Sequence, residues 1–168
     1  RGVHASGQIV NFFTDKKSNL NNLQYGINAL LPNDIRVMEA VEKPLDFHPT
    51  LDAISKEYHY KIAISKVLHP LMRFHHWHYP CEVDITSMRQ AASLLIGKHD
   101  FSALRNERKG LKKDDTIREL LKIDIEQQNE IITMKMFGDN FLYKMARNIA
   151  GTLLYVGTQK IGIESIQE

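Results

Sequence analysis

Three runs of strict alternation do most to limit the folds open to this chain. Leu121, Ile123 and Ile125 recur every second residue, the polar residues 127–130 follow, and Ile132, Met134 and Met136 alternate back. A period of two on both arms predicts an antiparallel hairpin with one buried face. Tyr58, Tyr60, Ile62 and Ile64 repeat the pattern and predict a further strand, with His59 and Lys61 on its other face. A sheet with one apolar face needs a covering layer. Two helices are available for it. One spans about 85–96, with Asp84 as N-cap, Ile85, Met88, Ala92 and Leu95 as its apolar face, and Gly97 past its end. The other spans about 141–155, with Leu142, Met145, Ala146, Ile149, Leu153 and Val156 as its buried stripe.

Upstream, residues 7–13 and 35–41 read as strands around a helix whose Leu20, Leu23, Ile27 and Leu30 share one face. Pro32-Asn33-Asp34 ends that helix, and residues 43–57, broken by Pro44, read as a connector. Residues 65–83 read as irregular and 98–116 as a polar loop. The expected class is α+β: an antiparallel mixed sheet from two ferredoxin-like units with helices on one face. Residues 1–45 are the remainder of an N-terminal sheet unit, and 46–168 form a truncated C-terminal one.

Composition excludes several classes. Apolar residues at 43% and charged residues at 25% suit a globular chain, not a disordered or collagenous one. No apolar stretch reaches the roughly 18 residues of a membrane span. The single cysteine, Cys81, allows no internal disulfide, as suits a reducing cytoplasm, and reads as a small buried residue. A net charge of +2 permits a nucleic-acid partner without requiring one. Arg105, Arg108, Lys109, Lys112 and Lys113 make a basic loop mixed with Glu107, Asp114 and Asp115. Lys98 and His99 follow a helix end, where cations are favoured in any case. His69, His75, His76 and His78 crowd one short stretch, and on a strand His76 and His78 face the same way. No Cys-x-x-Cys or His-x-x-x-His spacing supports a metal there, so none is expected.

Five strings carry the specific information. They are Arg1-Gly2-Val3-His4-Ala5-Ser6-Gly7-Gln8; Phe47-His48 ahead of Ser55-Lys56-Glu57-Tyr58-His59-Tyr60; Gly97-Lys98-His99-Asp100-Phe101-Ser102; Phe141-Leu142-Tyr143-Lys144-Met145-Ala146-Arg147-Asn148-Ile149-Ala150-Gly151; and Val156-Gly157. In this order and spacing they closely resemble the tRNA pseudouridine synthase A family over essentially the whole chain. The resemblance implies a pseudouridine synthase fold and an isomerase acting on uridine in the anticodon stem-loop of tRNA. It implies no cofactor, a homodimer with tRNA spanning both subunits, and a cytoplasmic location.

The family's nucleophilic Asp stands immediately before the residue matching Arg1, so this chain does not contain it. The chain therefore reads as a piece whose upstream part is missing, cut also before the family's last strand, and inactive alone. Tyr58 matches the tyrosine that stacks on the target base and is a candidate for proton abstraction. Tyr60, on the same face, reads as core. Arg147 matches the arginine that pairs with the Asp. It lies about 130° from the centre of the last helix's buried stripe at 100° per residue, beside Tyr143 and one turn below Gly151. Arg1, His4 and Gln8 flank the absent Asp as candidate RNA contacts, with Arg105, Arg108 and Lys109. Pro49 and Thr50 occupy the stretch where the family has an arginine after its Phe-His pair, which removes a base-flipping arginine there. The alternative class is a non-catalytic RNA-binding module of ferredoxin-like form, which has no need of a semi-buried arginine facing a carboxylate.

Overall fold

The computed structural model describes residues 3–107 and 115–166, and in it the alternating runs pair into one five-stranded sheet. The chain divides into two units, residues 1–53 and 54–168.

The second unit holds the sheet. Its elements are β1 (Lys56–Ala63), β2 (Trp77–His78), α2 (Ile85–Leu94), β3 (Gly97–Asp100), β4 (Ile117–Gln128), β5 (Ile131–Gly138) and α3 (Met145–Gly157); a helix α1 (Leu20–Leu30) lies in the first unit. The strand order is β2-β1-β5-β4-β3, with β1–β2 parallel and the other pairs antiparallel. Tyr58, Tyr60 and Ile62 lie opposite Met136, Met134 and Ile132, which in turn face Ile123, Ile125 and Gln127. Ile62, Ile132, Met134 and Met136 are fully buried beneath residues of α2 and α3, including Met88, Met145, Ile149 and Leu153. The opposite face carries the ion pairs Lys122–Asp124, along β4, and Lys135–Glu126, diagonal across β4 and β5. One face is therefore core and the other is polar, as the period-two patterns require.

The hairpin departs from its predicted phase at one point. A bulge between Leu120 and Lys122 puts two residues where the partner has one, so Leu120 is buried and Leu121 is exposed. The loop 98–116 also needs correction. Residues 97–100 pair with β4 as an edge strand, so Lys98 and His99 are strand residues rather than a helix tail. Within 65–83 a short strand, β2, adds to β1. Cys81 is exposed, not buried, because it sits in the turn after Pro80 that leads to α2.

Asp84 caps α2 as predicted, accepting from the Thr86 and Ser87 amides and the Ser87 hydroxyl. The Ser87 bonds hold its carboxyl below the usual range. Its contribution is therefore present above the unfolded-state carboxyl pKa and lost as pH falls through the lowered folded value. Gly157 ends α3 against Met88 of α2 and Val83 just ahead of it. A Cβ there would lie 2.5 Å from Met88 Cγ and 2.8 Å from Val83 Cγ1. Gly157→Ala is expected to cost about 1–3 kcal/mol by overpacking, read as a lower melting temperature. An unchanged melting temperature would show that the contact relaxes freely.

In the first unit, Asn19 caps α1 through its side chain, and Leu20, Leu23 and Ile27 are half-buried while Leu30 is exposed. The two strands expected here do not form among the described residues. Val37 exchanges both backbone bonds with the Asn28 side chain, and Gln24 donates to the Val37 and Met38 carbonyls. Side chains of α1 thus take the place of a ladder partner for that stretch. Residues 8–13 have no regular secondary structure and pair with no strand.

Candidate active site

β1 sets the position of Tyr58. The strand begins at Lys56, opposite Gly138 at the end of β5, so the first residues of β1 lie at one end of the sheet. Tyr60, one pleat further in, packs against the core and meets Trp77 edge-on. Tyr58 points to the same face but remains 37% exposed. Its ring meets Phe141 edge-on, centroids 4.8 Å apart at 70°.

Gly138 allows that seat. A Cβ on it would come within 3.2 Å of the Phe141 ring and 3.0 Å of the Glu119 carbonyl oxygen, so no other residue fits without displacing the ring or the strand. Asn140 fastens the same corner. Its Oδ1 accepts from Lys56 Nζ at 2.7 Å and from the Phe141 amide at 2.9 Å.

Residues 141–144 are not helical, which corrects the expected helix start. The chain turns into α3 through Lys144 at φ 62°, a left-handed conformation that costs a non-glycine residue of the order of 1 kcal/mol. Arg147 sits in the first turn of α3 and is exposed, not semi-buried, with no hydrogen bond or ion pair among the described residues. Gly151, one turn on, faces open space. The helix starts with no acidic residue in its first turn and no side-chain cap from Lys144. Its positive end and the Arg147 guanidinium therefore both favour an anionic partner.

The remaining sequence candidates scatter. Arg105 is half-buried near Asp100, whose carboxyl is held low mainly by the Thr116 hydroxyl and the Ser102 amide, with a lesser part from Arg105. His4 and Gln8 are exposed in the first unit. Arg1, Arg108, Lys109, Lys112 and Lys113 lie outside the described residues. In the histidine-rich stretch, His78 Nε2 bonds the Ser65 carbonyl at 2.9 Å and His69 accepts from the Leu71 amide. Among the described residues no three His, Cys, Asp or Glu side chains converge as metal ligands. No helix there is long and apolar enough to cross a membrane. Sequence reasoning missed the Lys56–Asn140 bond and the role of Phe141 as a seat. The first joins residues 84 apart, and the second was hidden by the assignment of Phe141 to the helix.

Comparison with known proteins agrees on one family. A family model described as tRNA pseudouridine synthase matches residues 91–168. The relative named tRNA pseudouridine synthase A 2 from Protochlamydia amoebophila is 44% identical over 168 residues, 99% of this chain and 64% of the relative. A second from that organism, tRNA pseudouridine synthase A 1, is 38% identical, covering 99% and 66%. The tRNA pseudouridine synthase A of Thermoanaerobacter pseudethanolicus is 40% identical over 167 residues, 99% of this chain and 68% of the relative. The chain thus spans about two thirds of the length of these relatives, and slightly less for the first two.

Proposed function

Because this chain belongs to the tRNA pseudouridine synthase A family, we propose that the protein isomerises uridine to pseudouridine in the anticodon stem-loop of tRNA, at positions 38 to 40 in standard tRNA numbering. The observation that carries the reading is the half-open Tyr58 ring seated on Phe141, on the segment that leads into the helix bearing Arg147.

The reaction breaks the N1–C1′ bond, turns the uracil, and joins C5 to C1′. C5 gives up its proton and N1 gains one, so nothing is oxidised and no group is transferred to another molecule. A uridine in a stem-loop must leave the stack to react, and a flipped base needs a flat apolar surface to rest on. Tyr58 supplies that surface, and its side-chain oxygen, having given up its own proton, takes the one from C5. Arg147 pairs with the family's nucleophilic carboxylate, orients it and keeps it ionised. The acid-free, uncapped start of α3 supports that role, since it adds positive potential where a carboxylate has to stay charged. The same reading makes the protein a cytoplasmic homodimer with tRNA held across both subunits.

The reading assigns the nucleophile to an Asp outside these 168 residues. Alone they are expected to release no tritium from tRNA labelled at uracil C5, whereas the full-length protein releases it. Turnover by the 168 residues alone would defeat the assignment of the nucleophile. The non-catalytic RNA-binding alternative draws support from one observation. Arg147 is exposed, so its burial does not separate the two classes, and tritium release does.

A further inference from the structure

The end of the sheet that holds Tyr58 also holds a cavity that the reading above leaves unused. Asp100 of β3 pairs with Ile117 of β4 at the same end as Lys56 and Gly138. There an open cavity of about 520 Å³ is lined by Lys98, Asp115, Ile117, Arg118, Asp139 and Asn140.

The polar groups of this cavity are unequally committed. Asp139 Oδ1 already accepts from the Glu119 amide at 3.1 Å and from the Asn140 amide. Asp115 Oδ1 accepts from the Ile117 amide at 2.9 Å. One oxygen of each carboxylate thus serves the backbone, and the two acidic side chains share the lining with Lys98 and Arg118. Lys98 and Arg118 make no ion pair among the described residues. Arg118 Nη1 donates only to the adjacent Ile117 carbonyl, and its Nε is buried with no hydrogen-bond partner. Arg118 Nη2 donates to no group among the described residues, which leaves that nitrogen of the fork for an incoming acceptor. A guanidinium carries five N–H donors in a fork, which suits an anion with several oxygens.

We propose that this cavity binds a phosphodiester of the RNA backbone, with Arg118 as the forked donor and Lys98 as a point charge. The inference rests on the tRNA reading, and it adds a contact beside the base platform. Asn140 joins the two places: it lines the cavity, precedes Phe141 in the chain, and accepts from Lys56, two residues before Tyr58 on the same strand face. A phosphate held here anchors the nucleotide strand next to the base that rests on Tyr58. Contacts of this kind carry no base specificity; they fix register and orientation.

The test uses the full-length protein with Lys98→Gln and Arg118→Gln. Filter binding of tRNA is measured across a salt series, alongside tritium release. Each substitution is expected to weaken tRNA binding about tenfold near physiological salt and to reduce the slope of log K against log salt by about one. KM is expected to rise more than kcat falls. Arg118 is half-buried, so its variant is checked for wild-type melting. Lys98 is exposed on an edge strand and carries the test even if Arg118→Gln fails to fold. A well-folded Lys98→Gln protein with wild-type affinity and slope overturns the proposal. Release of tritium by wild type with unaltered variant slopes leaves the enzyme reading standing and removes this site. The reverse pattern, altered slopes with no tritium released by wild type, keeps the site and removes the enzyme reading.

Discussion

Arg147→Lys is expected to lower pseudouridine formation about a hundredfold in the full-length protein, with no loss of thermal stability. Lysine keeps the charge but cannot make two parallel bonds to a carboxylate. Arg147→Ala is expected to lose about a thousandfold, the scale of the roughly 3–5 kcal/mol set by an unpaired buried charge at about 1.4 kcal/mol per decade. In free protein the guanidinium is exposed, and an exposed pair is worth little. The loss belongs to the tRNA complex, where a bound nucleotide excludes water and strengthens the pair. Folding behaves oppositely. A cation in the first turn of a helix opposes the dipole, and α3 has no acidic residue there to offset it. Arg147→Ala should therefore melt at, or a little above, the wild-type temperature. Pseudouridine formation by Arg147→Lys within twofold of wild type would sink the forked-pair role.

Period-two patterning made three strands and their buried face legible, because one side of each is core. It failed where no face is buried. β3 consists of Gly97, Lys98, His99 and Asp100, of which only Gly97 is even partly covered, so nothing in it alternates. It failed at Leu121 because a bulge is fixed by pairing across the sheet, not by local pattern. It failed at 35–41 for a third reason. In that stretch Val37 and Met38 take the amide side chains of Gln24 and Asn28 as backbone partners, and polarity patterns do not distinguish a side-chain partner from a strand. The pattern starts the last helix too early because Leu142 and Met145 share one stripe at helical spacing. The left-handed Lys144 between them has no glycine or proline to signal it.

The candidate site was legible only through motif resemblance. A tyrosine on an apolar strand face reads as core by pattern alone, and Tyr60 is indeed packed there. What separates Tyr58 is its place at the end of the face, where Phe141 covers one side of it and solvent the other. That difference comes from strand length and from where the chain turns toward α3. Neither is encoded near Tyr58.

That placement lets ring and hydroxyl be tested apart. Tyr58→Phe is expected to keep the edge-on contact with Phe141, melt as wild type does, and bind tRNA within about threefold, because every base stacks on a phenyl face as on a phenol. Tritium release should nevertheless fall about 10²–10⁴-fold, the usual contribution of a positioned general base. Tyr58→Ala removes both functions. It should show the same loss of turnover together with weaker tRNA binding, by the roughly 1–3 kcal/mol of one lost base–aromatic stack. The comparison is decisive because the two variants differ only in the ring. If Tyr58→Phe turns over at the wild-type rate, the C5 proton goes elsewhere and Tyr58 is a platform alone. If both variants bind and react as wild type, the seat on Phe141 is structural, and the site must be sought at another end of the sheet.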